Sequence, residues 1–245
     1  MKKPTGYYNI LLLISIFAIA MAFLETSVVV YLREIFYPEG FGFPLKIVTG
    51  KIAVTEIIRE FAALLMLITI GLFSGRNKTE KFAWFLYSFA IWDIFYYVFL
   101  KLLLDWPVSL FTWDILFLIP VVWVGPVIAP LINSVTMVLL SAAIIRNSYF
   151  SQTEKIRPLV WGLLIIGSLI VIVSYTFDYL AYLGGRFRLL EILKTSNRGE
   201  LISYSSQYMP LRFNWLVFYT GVFCHLLAIF ILFTDVKKNR SENAV

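Results

Sequence analysis

Long runs of apolar residues alternate along this chain with short polar stretches that contain glycine, proline and charged residues. The apolar runs are about 20 residues or longer, enough for a helix to cross the roughly 30 Å hydrocarbon core of a bilayer. The pattern predicts an all-α, polytopic integral membrane helix bundle that forms a single transmembrane domain over residues 1–245. About six transmembrane helices are predicted, at residues 7–32, 49–73, 82–104, 127–145, 158–182 and 213–233, with a polar outer loop at 184–212.

The first apolar run follows Lys2 and Lys3 and in this respect resembles a secretory signal peptide. The run continues to Leu32, which is too long for the apolar centre of a signal peptide and long enough to span a membrane. We therefore expect an uncleaved first helix.

One apolar segment, residues 108–145, is too long for a single span. Its 38 residues would form a helix about 57 Å long, nearly twice the thickness of the hydrocarbon core. Three prolines and a glycine between residues 120 and 130 supply a break. We therefore expect a short interfacial or re-entrant helix at Ser109–Ile119 before the fourth span, and a short amphipathic piece at Phe187–Leu193.

Composition agrees with a membrane protein and narrows the set of partners. Hydrophobic residues make up 60% of the chain and charged residues 15%, where a soluble domain has roughly a quarter charged. The net charge of +6 does not indicate nucleic-acid binding, because the basic residues fall mainly between the apolar segments. Membrane lipids are the partners that this placement predicts. Cys224 is the only cysteine, so no intrachain disulfide or cysteine metal cluster is expected.

The distribution of lysine and arginine predicts the orientation. If both termini lie inside, the inner side carries eleven of these residues and the outer loops carry eight, or three when the long outer loop is discounted. We expect a protein of the cell (inner) membrane with its N-terminus and C-terminus in the cytoplasm.

The most informative charges lie inside the predicted second span. Glu56, Arg59 and Glu60 are spaced three and four residues apart, so they share one face of a helix. Glu25 and Asp93 fall at a similar depth in the first and third spans. Ionised side chains at membrane depth are costly and usually face a bundle interior or a water-filled cavity. These five residues are therefore the predicted ligand-binding or proton-coupling site.

Two further residues are weaker candidates for this site. Asp114 lies toward the outer end of the membrane, and His225 is the single histidine, near the middle of the last span. The sequence lacks the histidine and cysteine sets that hold zinc or haem, so no metal site is predicted, and any metal would be held mainly by carboxylates. The cofactor is left unassigned.

Three functions fit these residues. The first is binding or transport of a small polar or ionic ligand through a carboxylate and arginine cavity. The second is an intramembrane enzyme that acts on a lipid-soluble substrate with Glu or Asp as acid and base. The third is a structural or interaction role in which the buried charges only fix helix packing. The chain is short for a transporter built from repeats, so a homo-oligomer is compatible with the first function.

Overall fold

A computed structural model describes residues 5–46, 50–150, 156–187 and 198–242 of the chain. Six of the helices in this part contain apolar stretches of 21 to 30 residues that are long enough to cross a membrane. The predicted multi-pass helical membrane bundle is therefore confirmed. The helices are α1 Thr5–Phe36, α2 Gly50–Ser74, α3 Lys78–Leu104, α4 Ile128–Phe150, α5 Pro158–Gly184, the short α6 Arg198–Ser205, and α7 Trp215–Glu242.

The six long helices form two groups of three. Helices α1 and α2 both pack on α3, whereas α5 packs on α7 and α7 on α4. Extensive packing between α3 and α4 joins the two groups. Helices α1, α2 and α5 therefore each have one main helical partner, and a space is left between the groups.

Small residues allow a close helix crossing between α5 and α7. A Cβ atom added to Gly221 would lie 2.7 Å from the carbonyl oxygen of Gly167 and 2.7 Å from Cγ2 of Val171. Membrane helices are not driven together by the hydrophobic effect, so close backbone approach at small residues is a main source of their association.

The expected short helix at Ser109–Ile119 is wrong, because this segment enters a β-hairpin. Strand β1, Trp113–Phe117, pairs antiparallel with β2, Trp123–Pro126. A short apolar run cannot be assigned to helix or strand from periodicity alone, and the prolines that end the run prevent it from continuing as a helix. Paired strands satisfy much of their own backbone, which allows non-helical structure to lie within a membrane protein.

The hairpin reaches inward between the two helix groups. The ring of Phe117 in β1 lies 6.3 Å from the ring of Phe89, which is near the middle of α3. Trp123 in β2 stacks on Tyr175 of α5 with ring centroids 6.0 Å apart. The hairpin therefore packs against both helix groups, and non-helical backbone is tolerated at membrane depth where it lies against protein or lines a cavity. The hairpin enters the bundle from one end, which we call the hairpin end. We call the opposite end the terminal end.

Other boundaries differ modestly from the predicted ones. Helix α1 continues beyond Leu32 to Phe36, so Arg33 belongs to a helix and not to a loop. The predicted polar loop 184–212 contains α6. Of the amphipathic piece expected at Phe187–Leu193, only Phe187 is among the described residues.

Candidate functional site

A cavity of about 750 Å³ lies between the two helix groups. Its wall begins at the hairpin end with Tyr37 and Lys46 and continues toward the terminal end as far as Phe82 and Leu140. This volume falls within the range of about 300–1,000 Å³ that is usual for sites of small ligands.

All seven residues singled out in the sequence line this cavity, but they do not form one cluster. Helices α1, α2, α3 and α7 and strand β1 each contribute at least one of them, and their side chains divide into separate groups with different partners. The seven are Glu25, Glu56, Arg59, Glu60, Asp93, Asp114 and His225.

The first group joins α1 to α2. The guanidinium of Arg59 forms ion pairs with Glu25 of α1 and with Glu56 of its own helix, and its Nε donates to Glu56 Oε2 at 2.9 Å. The three side chains are between 12% and 18% exposed. This arrangement places two carboxylates against one guanidinium, so it keeps a formal negative charge and also bridges two helices that otherwise pack mainly on α3.

Glu60 has a different partner from its neighbours on α2. Its two carboxylate oxygens accept from the backbone N–H of Leu118, at 3.0 and 3.2 Å, where the chain leaves strand β1. Glu60 is only 7% exposed. The carboxylate therefore satisfies a backbone donor at the tip of the hairpin, which would be costly to bury alone.

Asp114 is held by Arg33, which directly follows the predicted first span 7–32. Arg33 Nη2 lies 3.2 Å from Asp114 Oδ1, and the Tyr97 hydroxyl donates to Asp114 Oδ2 at 3.2 Å. The Arg33 guanidinium lies between the rings of Phe41, at 4.4 Å, and Trp106, at 3.8 Å. Arg33 was not among the predicted site residues, because it directly follows the apolar run and the run alone does not show where the helix ends.

Asp93 has neither a cation nor a backbone donor as a partner in the described part of the chain. Its Oδ2 accepts from the Ser134 hydroxyl at 2.7 Å, across the contact between α3 and α4. Its Oδ1 has no hydrogen-bond partner among the described residues, and the side chain is partly exposed on the cavity wall. Asp93 is thus the carboxylate that remains available to a ligand.

Other polar side chains lie around Asp93, and they were not among the site residues predicted from the sequence. The neighbour of Ser134, Asn133, donates through Nδ2 to the Tyr175 hydroxyl at 2.8 Å, and both line the cavity. Asn133 Oδ1 is buried without a partner in the described residues, as is Nε1 of Trp92 and of Trp123. Two adjacent polar residues, Asn133 and Ser134, inside an apolar span were the available signal.

His225 lies on the opposite wall from Asp93. Its Nε2 is 3.2 Å from the Ser168 hydroxyl of α5. Ser168 lines the cavity and is also exposed, and Ile57 of α2 lines the cavity while 44% exposed. The cavity wall therefore includes side chains of α2 and α5 that are also exposed on the outside of the chain.

Two tyrosines, Tyr179 and Tyr208, form an aromatic cover over part of the hairpin end of the cavity. The Tyr208 hydroxyl donates to Asp178 Oδ2 at 2.6 Å, and the Tyr208 ring packs against Tyr179, which lines the cavity. Burial, and secondly the neighbouring Asp178 carboxylate, raise the pKa of the Tyr208 phenol. Tyr208 therefore stays protonated at neutral pH and holds the chain after α6 against α5.

Charge in the cavity wall is unbalanced. Five carboxylates and three cations line it, a formal excess of two negative charges when all are ionised. The three cations are Arg33, Lys46 and Arg59. Within the described ranges, no three His, Cys, Asp or Glu side chains come together in a set suited to a metal ion.

A scan against models of protein families finds no match to this chain, and searches of curated proteins and of solved structures find none either. The function is therefore inferred from the geometry of the cavity and the chemistry of its wall.

Proposed function

We propose that this protein binds a ligand through a small polar or ionic group inside the membrane, in the cavity between its two helix groups, as the binding step of transport. The observation that carries the proposal is Asp93, a carboxylate on the cavity wall with one oxygen unpaired and no cation beside it in the described residues. An ionised carboxylate at this depth is costly unless a donor or cation approaches it. A bound ligand supplies that partner.

The other four acids of the cavity wall already have partners within the protein, so we assign them a different role from Asp93. Glu25 and Glu56 pair with Arg59, Asp114 pairs with Arg33, and Glu60 caps a backbone donor. These contacts hold α1, α2 and the hairpin in place, as the structural hypothesis expects of buried charges. On this proposal they shape the cavity, and Asp93 contacts the ligand.

The orientation belongs to the same proposal. We place the protein in the cell (inner) membrane with the terminal end of the bundle in the cytoplasm, on the strength of the lysine and arginine distribution. The hairpin end and its aromatic cover then face outward.

Small molecules that copurify with the protein test the proposal. Organic and aqueous extracts of the purified wild type, of Asp93→Asn and of Asp93→Leu are compared by mass spectrometry. Asp105→Asn is the matched control, because Asp105 lies just beyond α3 with its side chain 92% exposed and does not line the cavity.

We expect a compound near one equivalent per chain in the wild type and in Asp105→Asn. Its affinity should fall about 10- to 150-fold in Asp93→Asn, since a hydrogen bond to a charged group contributes about 1.5–3 kcal/mol, and the copurified amount should fall with it. Equal amounts in wild type and both Asp93 variants, or no compound above the detergent blank, would refute the proposal.

A further inference from the structure

We propose that the ligand is a single-chain amphiphile with a hydrogen-bond-donating head, a long-chain alcohol or a long-chain amine. Its head meets Asp93 and its chain lies along the apolar part of the cavity toward the terminal end. This inference rests on the proposed function, since it names the chemical class of the ligand of that same site.

The wall on the terminal side of Asp93 is suited to a hydrocarbon chain. Phe82 and Asp93 lie on α3, and their separation of eleven positions corresponds to about 17 Å along the helix. Over this length the wall is lined mainly by apolar side chains from α3, α4 and α5. They are Phe82, Leu86, Phe89, Met137, Leu140 and Leu164.

The acceptors around the head position select against an anion. Asp93 Oδ1 is an acceptor without a partner in the described residues, and Asp93 already uses Oδ2 to accept from Ser134. The excess of carboxylates in the wall adds a negative potential. A hydroxyl or ammonium head donates to these oxygens, whereas a carboxylate or phosphate head is repelled by them.

The route of entry fits a lipid-soluble molecule. Ile57 of α2 and Ser168 of α5 line the cavity and are also exposed. Both helices also present exposed apolar side chains, such as Ile58 at 61% and Ile165 at 57% exposure, which suit contact with lipid tails. A molecule dissolved in the bilayer therefore reaches the cavity without crossing water.

Four probes of defined chemistry test the inference on the full chain in detergent. Hexadecan-1-ol, hexadecylamine and hexadecanoate share one chain length and differ in the head, and butylamine has the amine head with a short chain. Binding is measured as the rise in the thermal unfolding midpoint, followed by thiol labelling of the free Cys224.

All probes are compared at one concentration. The tighter-binding of the alcohol and the amine should raise the midpoint by about 5–10 °C at a hundredfold excess over its Kd, and hexadecanoate should leave the midpoint unchanged. A larger shift with the alcohol than with the amine identifies a neutral head, and the reverse identifies a cationic one; either order supports a donor head. A shift with hexadecanoate as large as with the amine overturns the donor-head inference.

Two variants separate this inference from the proposed function. Met137→Trp fills the apolar part of the cavity. It should abolish the midpoint shift with hexadecylamine and leave the shift with butylamine unchanged. If Met137→Trp does not fold, Leu164→Trp, on another wall of the cavity, replaces it. Equal shifts from butylamine and hexadecylamine in the wild type, or a hexadecylamine shift unaffected by the tryptophan, overturn the single-chain ligand and leave the proposed function standing. If Asp93→Asn binds all probes as the wild type does, both fail.

Discussion

Replacement of Arg33 by methionine is predicted to destabilise the fold strongly, because it isolates a buried carboxylate. The ion pair joins α1 to strand β1 at 3.2 Å, with side chains 8% exposed for Arg33 and 2% for Asp114. Methionine keeps an unbranched side chain between Phe41 and Trp106, so the change removes the charge and retains much of the packing.

The size of the effect follows from the burial of the pair. Removal of one partner of a buried ion pair costs about 3–5 kcal/mol, because the other charge is left uncompensated. For a chain of this length each kcal/mol corresponds to about 2–4 °C in the unfolding midpoint, which predicts a fall of about 6–20 °C. The Tyr97 hydroxyl still donates to Asp114, which favours the lower part of this range.

Thermal unfolding of purified variants in detergent measures the effect. The double variant Arg33→Met/Asp114→Leu should recover most of the loss, because it leaves no unpaired charge. Arg186→Met is the matched control: its ion pair with Glu200 has both side chains more than half exposed, and exposed pairs contribute about 0–1 kcal/mol.

Two results would refute this reasoning. One is a midpoint for Arg33→Met no lower than that of Arg186→Met. The other is a double variant less stable than Arg33→Met, since that would show that Asp114 stabilises the fold without its cation.

Three further predictions concern packing, the hairpin and orientation. Gly221→Leu should destabilise by about 1–3 kcal/mol and reduce the monodisperse fraction in size-exclusion chromatography, whereas Gly162→Leu should not, because no atom lies within 4 Å of an added Cβ at Gly162. Glu60→Leu should cost about 1–3 kcal/mol in thermal unfolding by leaving the Leu118 N–H unpaired, and Glu60→Gln, which keeps an acceptor, should cost less; equal losses would contradict the capping role. Reporter fusions at positions 78, 152 and 240 should all report the cytoplasm, and one outward report would overturn the predicted orientation.

The six spans could be predicted from the sequence because membrane insertion depends on local composition. A run of about 20 apolar residues has a favourable transfer free energy whatever its neighbours are. The approximate depth of Glu25, Glu56 and Asp93 followed in the same way, from the number of residues between each charge and the end of its run.

The hairpin and the partners of the charges depended on the tertiary structure. Strand β1 is five residues long, and a pattern of that length does not distinguish a strand from a buried helix turn. Glu56 and Glu60 are four residues apart on one helix, yet one pairs with Arg59 and the other with the backbone of Leu118.

What the sequence determined by itself was which segments enter the membrane and roughly how deep each charge lies within it. What only the tertiary structure decided was which charge meets which partner, and that Asp93 meets no cation in the described residues. The reason is physical: insertion of a segment depends on its own composition, whereas an ion pair such as Arg33 with Asp114 joins residues 81 positions apart and depends on how separate elements pack.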